Sequence, residues 1–460
     1  QRSLPEVCRY IEAVVRAKQG NYLVFLPSYA YLKAAVEEFR SLCPGIALAV
    51  QESGMDEAAR EAFLAQFSPH GGGTLVGFCV LGGVFGEGID LAGAALIGCV
   101  VVGVGLPQVS PRQEMLRRYG FNGLGAWSDV NTVRESEHPM PYTVIVNPMG
   151  MYRGQHRRHF GGKYKQAGWQ GYRFDLAMVF DPGFDAVIDR AIAPIAKYRD
   201  DKYLLGYFTD NELPWVNDAL DRHLTLLAHD EDAYIAVRKW YDERKGVKDA
   251  PAGEITDADR KAFQAFYFDT YMRKVTEALR KYDSNHLYLG CRFNQHHQEM
   301  ASPEIFAVAG KYMDVISINH YRLWEPNAAW MANWEKWSGK PFIITEFYTK
   351  GEDSGLPNNT GAGWNVRTQA DRGWFYQNFV TELLRSGNCV GWHWFTYMDN
   401  DPQNLKTDPS NRDSNKGVVN WAFEPYTVLL DEMKQLNDCT YRLIRHLDAE
   451  KAEENRKTTK

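Results

Sequence analysis

Three short, continuous apolar runs mark the first hundred residues: Tyr22-Leu23-Val24-Phe25-Leu26, Thr74-Leu75-Val76-Gly77-Phe78-Cys79-Val80 and Leu96-Ile97-Gly98-Cys99-Val100-Val101-Val102. Their length and their Val, Phe and Leu content read as buried strands, and residues 30–42 carry apolar positions at helical spacing. Continuous apolar strands separated by helices fit a parallel sheet covered on both faces.

From residue 119 the pattern changes to a repeated unit of short apolar strand, polar loop and amphipathic helix. Strands are predicted over 120–125, 142–146, 203–208, 286–290, 314–318, 341–345 and 389–394, and helices over 184–198, 259–282, 369–386 and 426–447. Repeated βα units over this length predict an α/β fold, a (β/α)8 TIM barrel of which seven strands can be named and, if the missing strand is counted first, the first is lacking. The helical stripes, such as Phe263, Phe266, Tyr267, Tyr271, Val275 and Leu279, are expected to be core packing. Residues 215–257 exceed an ordinary βα connection and are expected to elaborate the rim of a site.

Composition sharpens the division. All 13 tryptophans lie beyond residue 119, the first being Trp127, which sets the expected domains at 1–118, 119–448 and a charged flexible tail over 449–460. With 52 Lys+Arg against 58 Asp+Glu and no long block of one sign, the chain is not expected to bind nucleic acid as a whole. No apolar run approaches the roughly 20 residues of a membrane span. The start, Gln1-Arg2-Ser3-Leu4-Pro5, has neither Met nor a signal-peptide apolar region, so the chain reads as soluble and as a fragment or processed form. The seven cysteines form no Cys-x-x-Cys pair and no zinc-type cluster, so neither a disulfide framework nor a metal knot is expected.

The first piece carries three ordered motifs: Gly20-Asn21-Tyr22-Leu23-Val24-Phe25-Leu26-Pro27-Ser28-Tyr29, then Gly86-Glu87-Gly88-Ile89-Asp90-Leu91, then Gly105-Leu106-Pro107-Gln108 with Arg112, Arg117 and Arg118. Over residues 1–118 this resembles the C-terminal motor domain of Rad3-like DNA helicases, a RecA-like α/β fold, in which the second and third motifs face ATP and DNA between two motor domains. The chain contains no G-x-x-x-x-G-K-[S/T] loop to cradle phosphates, so an inactive module is expected.

In parallel α/β barrels, chemistry sits where strands end. Two glutamates follow predicted strands: Glu212 in Thr209-Asp210-Asn211-Glu212-Leu213-Pro214-Trp215, and Glu346 in Thr345-Glu346-Phe347-Tyr348. Counting the missing strand, these follow strands four and seven. A pair of carboxylates flanking a glycosidic bond supplies one proton donor and one nucleophile, about 5–5.5 Å apart in retaining enzymes. Sugars need aromatic faces and polar edges. Trp127-Ser128-Asp129, Arg292-Phe293-Asn294, Asn319-His320-Tyr321 and Trp392-His393-Trp394 stand where such groups would fall. The candidate binding residues are therefore Trp127, Asp129, Arg292, His320, Tyr321, Trp392 and His393, with Trp394 the inward packer if Trp392 faces the cleft.

Longer motifs extend the reading. Gly206-Tyr207-Phe208-Thr209-Asp210-Asn211-Glu212-Leu213-Pro214-Trp215, Ile344-Thr345-Glu346-Phe347-Tyr348, Gly361-Ala362-Gly363-Trp364 with Thr368-Gln369-Ala370-Asp371-Arg372-Gly373, and Gly391-Trp392-His393-Trp394-Phe395-Thr396-Tyr397-Met398-Asp399-Asn400-Asp401-Pro402 occur in order. Over residues 117–448 the chain resembles β-agarases of glycoside hydrolase family 50. The resemblance implies hydrolysis of β-1,4 linkages in agarose or agaro-oligosaccharides by double displacement, Glu212 as acid/base, Glu346 as nucleophile, and no cofactor or metal. It further implies that Asn211 binds the hydroxyl next to the cleaved bond, that Tyr321 hydrogen-bonds the nucleophile and that Trp392 floors the cleft. It also implies a secreted or periplasmic setting. Members carry an N-terminal β domain and a first barrel strand, whereas here the helicase-like piece runs through a helix, Arg112 to Arg118, into strand two. The alternatives are a barrel that binds agar oligosaccharides without cleaving them, or a helicase-derived nucleic-acid-binding fragment with the barrel as passenger. Neither exo or endo action nor oligomeric state is written in the sequence.

Overall fold

The computed structural model describes residues 4–52, 55, 57–68, 72–81, 85, 91, 93–102, 111–134, 136, 138–167 and 171–458. The chain divides into two compact units, residues 1–109 with 135–137, and residues 110–134 with 138–460.

The first unit contains α1 (Leu4–Ala17), β1 (Asn21–Leu26), α2 (Tyr29–Leu42), β2 (Ala47–Val50), α3 (Glu57–Leu64), β3 (Leu75–Val80) and β4 (Gly98–Val101). Its strands pair in parallel in the order β2-β3-β1-β4. Two clusters explain the continuous apolar runs. Cys8 and Ile11 of α1 and Leu32 and Phe39 of α2 pack on Val24 and Phe78, while Phe63, Phe67 and Phe85 pack on Leu23 and Cys79. Both faces of the sheet are thus covered, and alternate residues of one strand serve different cores. The segments Gly86-Glu87-Gly88-Ile89-Asp90 and Gly105-Leu106-Pro107-Gln108 lie outside the described residues.

The second unit opens with α4 (Pro111–Arg118), α5 (Val130–Arg134), β5 (Tyr142–Val146), α6 (Pro148–Phe160), β6 (Gln166–Ala167), β7 (Tyr172–Arg173), α7 (Pro182–Ile192) and β8 (Leu204–Thr209). There follow α8 (Ala219–Leu226), α9 (Asp232–Lys245), α10 (Asp257–Tyr282), β9 (Leu287–Tyr288), β10 (Phe293–Asn294), α11 (Pro303–Tyr312) and β11 (Ile316–Asn319). The chain ends with α12 (Ala328–Ser338), β12 (Phe342–Glu346), β13 (Thr349–Gly351), β14 (Trp364–Val366), α13 (Gln369–Arg385), β15 (Cys389–Trp392) and α14 (Thr427–Thr458).

Two parallel sheets, β5-β8-β9 and β10-β11-β12-β15, run in chain order. They meet in one run, 287–294, which pairs with β8 through β9 and with β11 through β10 and bends between them at Gly290 and Arg292, both at positive φ. Where the sequence predicts a strand at 120–125, only Leu124 pairs, as a single parallel bridge to Tyr142. Gly120, Gly123 and Gly125 offer no side chains to pack and weaken strand formation there. The 184–198 helix is instead α7 followed by a 3₁₀ turn, Ala193–Tyr198, and residues 215–257 fold largely into α8 and α9.

Of the α10 stripe, Phe263, Tyr267, Tyr271, Val275 and Leu279 are buried as expected, but Phe266 is partly exposed. The charged segment from 449 is a second correction: it continues α14 to Thr458 instead of starting a flexible tail. Its Ala, Glu, Lys and Arg favour helix, and Lys457 reaches Glu453 at 2.7 Å across one turn. The helix Arg112–Arg118 belongs to this second unit, with Leu116 in its core and the Arg112 guanidinium 5.1 Å from the Phe423 ring.

Candidate active site

Functional side chains collect at the C-terminal ends of the parallel strands. β8 ends at Thr209, and Asp210 anchors the turn that follows. The buried Asp210 carboxylate accepts the backbone N–H groups of Met149 (3.0 Å) and Gly150 (2.9 Å) at the start of α6, and the Tyr271 hydroxyl donates to it at 2.8 Å. A helix N-terminus has free N–H groups and a positive dipole end, which makes this a strong fastening. Burial still pushes the Asp210 carboxyl up to about 6. Glu212 follows with its N–H bonded to the Arg292 carbonyl at 3.1 Å, tying the turn to the 287–294 run.

Glu212 and Glu346 line one cleft of about 1100 Å³ together with Trp127, Asn211, Tyr321 and Lys416. Both carboxylates are buried, at 3% and 7% exposure. Asn319, at the end of β11, donates to Glu212 Oε1 at 2.7 Å and to Asn211 Oδ1 at 3.2 Å, and its own carbonyl accepts the Thr345 hydroxyl at 2.7 Å. One amide thus spans the ends of β8 and β12. Burial, and then the negative charge of Glu346, push the Glu212 carboxyl up to about 7, against hydrogen bonds from Asn319 and Asn294. Glu346 is held differently. Arg292 Nη2 and the Tyr321 hydroxyl donate short bonds to its two oxygens, and Trp127 Nε1 lies 3.4 Å from Oε1. Burial beside Glu346 raises the Tyr321 phenol well above its ordinary range, so it stays a donor.

The remaining predicted residues separate. Arg292, Asp129, Trp392 and His393 line a second cavity, of about 320 Å³, and Trp127 walls both spaces. Trp392 Nε1 donates to the Tyr376 hydroxyl at 2.8 Å, while Trp394 Nε1 donates to the Lys416 carbonyl at 2.9 Å and packs on Phe347. Asp129 is exposed and bonds the Thr132 hydroxyl at 2.7 Å, within the first turn of α5. His320 borders neither space. It is buried edge-on against Phe379, and burial pulls its imidazole down to about 3.

Asn319, Asn294 and Asp210 are the site residues that sequence reading left out of its candidates, although each stands in a quoted strand-end motif. Another shared property is invisible in composition: Trp127, Asp210, Glu212, Arg292 and Arg322 all have φ between 51° and 67°. Non-glycine residues seldom adopt this left-handed region, and such strain concentrates at functional sites.

Parallel strands with paired, buried carboxylates at their C-terminal ends define the class: an α/β protein with the cleft of a glycoside hydrolase. The crystal structure of BpGH50 is 30% identical, with a TM-score of 0.61 over 73% of this chain and 72% of that one. The chain belongs to glycoside hydrolase family 50. An exo-β-agarase structure shares the fold at a TM-score of 0.59 and 24% identity, over 72% of this chain and 47% of that one. Beta-agarase B of Vibrio sp. (strain JT0107) is 28% identical over 369 residues, which is 71% of this chain and 35% of that protein. The chain therefore spans about a third of the length of the curated relatives it matches. Residues 11–135 match the family model of the helicase C-terminal domain.

Proposed function

We propose that the chain is a retaining glycoside hydrolase that cleaves β-1,4 linkages of agarose or agaro-oligosaccharides, with Glu212 as acid/base and Glu346 as nucleophile. The observation that carries this is the difference between two carboxylates sharing one cleft. Glu212 is pushed up to about 7 by burial and by Glu346, while Glu346 has its oxygens occupied by Arg292 and Tyr321.

In the first step the Glu212 carboxylic acid gives its proton to the leaving glycosidic oxygen as Glu346 attacks the anomeric carbon, forming a glycosyl ester and releasing the leaving sugar. Esterification removes the Glu346 charge, one of the two causes of the raised Glu212 pKa, so the acid just deprotonated is a carboxylate suited to take a proton from water. That water attacks the anomeric carbon, releases Glu346 and restores the starting state. Asn211, tied to Asn319, is read as the ligand of the hydroxyl beside the cleaved bond. The parallel strands are read as the arc of a (β/α)8 barrel without its first strand, with residues 1–118 as an inactive helicase-like module. The relatives' agarase names support the substrate; a secreted or periplasmic setting is what the family resemblance implies.

Incubating the purified chain with agarose and chromatographing the products tests the reading. Agaro-oligosaccharides whose new reducing ends first appear as the β-anomer support it. The α-anomer refutes retention, and unchanged agarose refutes hydrolysis.

A further inference from the structure

The catalytic cleft has two unlike ends. Lys416, bonded to Asn411 and set over the Phe395 ring, has Asp408, Asp399 and Glu346 as its charged neighbours. His297, on the wall of the same cleft, has Glu299, Glu212 and Asp175. In a retaining mechanism the nucleophile lies under the sugar that is held, and the acid lies beside the oxygen that leaves. The end marked by Glu212 and His297 is therefore the one that a leaving sugar fills.

The two catalytic steps use neither His297 nor Glu299, yet the pair is built in. Glu299 is 2% exposed, and its carboxylate lies 3.1 Å from His297 Nδ1. A carboxylate this deep is costly unless paired. The His297 backbone N–H is tied to the Asn294 carbonyl at 3.0 Å, and the Asn294 side chain hydrogen-bonds Glu212, so one short segment refers the imidazole to the acid. His297 lines the cleft and Glu299 does not, so Nδ1 faces the interior and Nε2, across the ring, faces the cleft. Nε2 bonds nothing among the described residues and is not sealed off, since 24% of the side chain is exposed. His296 and Arg322 stand on the same wall but at the surface, and among the described residues no buried carboxylate holds either.

We propose that His297 binds the leaving sugar through Nε2, with Glu299 as the positioning residue that aims it. This rests on the hydrolase reading and extends it to the far side of the cleaved bond. Burial opposes a charged imidazole, but the hydrogen bond to Glu299 and the charges of Glu299, Glu212 and Asp175 outweigh it and raise its pKa. With Glu299 ionised, Nδ1 keeps its proton, so Nε2 donates to a hydroxyl oxygen when the ring is charged and accepts a hydroxyl proton when it is neutral.

The glycosyl-enzyme formed from an aryl galactoside can pass its sugar to water or to an added acceptor. Neoagarobiose is the acceptor, because it presents the hydroxyl that a β-1,4 cut exposes, and the ratio of transfer to hydrolysis is measured on the full-length chain. Damage to Glu212 slows both exits together, whereas loss of a sugar ligand lowers transfer alone. His297→Ala should lower the ratio by about five-fold, the worth of one hydrogen bond, and His297→Gln, whose amide reaches as far, should recover part of it. Glu299→Ala, which frees the ring, should lower it in the same direction. If His297→Ala does not fold by circular dichroism, His297→Phe should show the same fall. Ratios equal to wild type in the folded variants overturn the proposal. If the wild-type chain makes no transfer product, tryptophan fluorescence titrated with neoagarohexaose decides: about five-fold weaker binding in the folded His297 variant supports the proposal, and equal binding overturns it. A wild-type chain that also leaves agarose and the aryl galactoside intact removes the hydrolase reading, and the same titration then shows separately whether His297 is a sugar ligand.

Discussion

Glu346 and Glu212 carry different burdens, and their replacement should separate them. If Glu346 is the nucleophile as proposed, Glu346→Ala should reduce reducing-sugar release from agarose by at least roughly a thousand-fold; wild-type turnover in this variant would end the assignment. Glu212→Gln should impair agarose far more than an aryl galactoside whose leaving group needs no proton, measured as the ratio of the two kcat/KM values. The pH dependence follows from burial. With its carboxyl raised to about 7, Glu212 loses the proton it gives in the proposed first step as pH rises through that value, so on that assignment kcat should fall on the alkaline side.

Stability moves the same way. The folded state holds this proton more tightly than the unfolded state does, so the contribution is full below about 4.5 and is lost as pH rises through about 7. Glu212→Gln cannot ionise, and its melting temperature relative to wild type should climb between pH 5 and pH 8; a constant difference would refute the raised pKa. At this scale the sequence was informative where a polar residue directly follows an apolar run, as at Glu212 and Glu346. It was silent where one amide reaches across strands, as Asn319 does, because that contact joins residues 107 positions apart.

Elements are held by features of unequal visibility. The Thr368-Gln369-Ala370-Asp371 start of α13 forms a capping box, with the Thr368 hydroxyl accepting from the Asp371 N–H and the Asp371 carboxylate accepting from the Thr368 N–H. Thr368→Ala should cost about 1 kcal/mol in urea unfolding. Gly310 on α11 is the harsher case: a Cβ there would stand 2.0 Å from the Ser338 carbonyl oxygen at the end of α12. Gly310→Ala should therefore destabilise by about 1–3 kcal/mol by the same measurement, and a neutral effect would mean that these helices are not so closely seated. The strands β5, β8, β11, β12 and β15 and the helices α10 and α13 were legible from period and apolar content. Helices α6 and α12 escaped because their aromatic and polar residues blur the stripe, and α11 because its apolar residues, Ile305 to Ala309, form one short continuous run. The strand expected at 120–125 failed because its glycines left a single bridge at Leu124.

At the scale of the molecule, the two units have cores without a shared residue: Leu116 to Leu447 in one, Cys8 to Phe85 in the other. Calorimetry on the full chain should show two transitions, and a proteolytic fragment beginning near residue 110 should keep the larger one. A single transition lost on such cleavage would mean the units fold as one. The shift from a glycine- and valine-rich composition to a tryptophan-rich one announced two pieces, yet the division falls near residue 110, because α4 contributes Leu116 to the later core. The left-handed backbone at Trp127 and Glu212 has a consequence for any laboratory lineage of this protein. Glycine relaxes each of those positions. A library screened for heat resistance alone would therefore drift toward glycine there first, and its hardiest survivors would be the ones least able to digest anything.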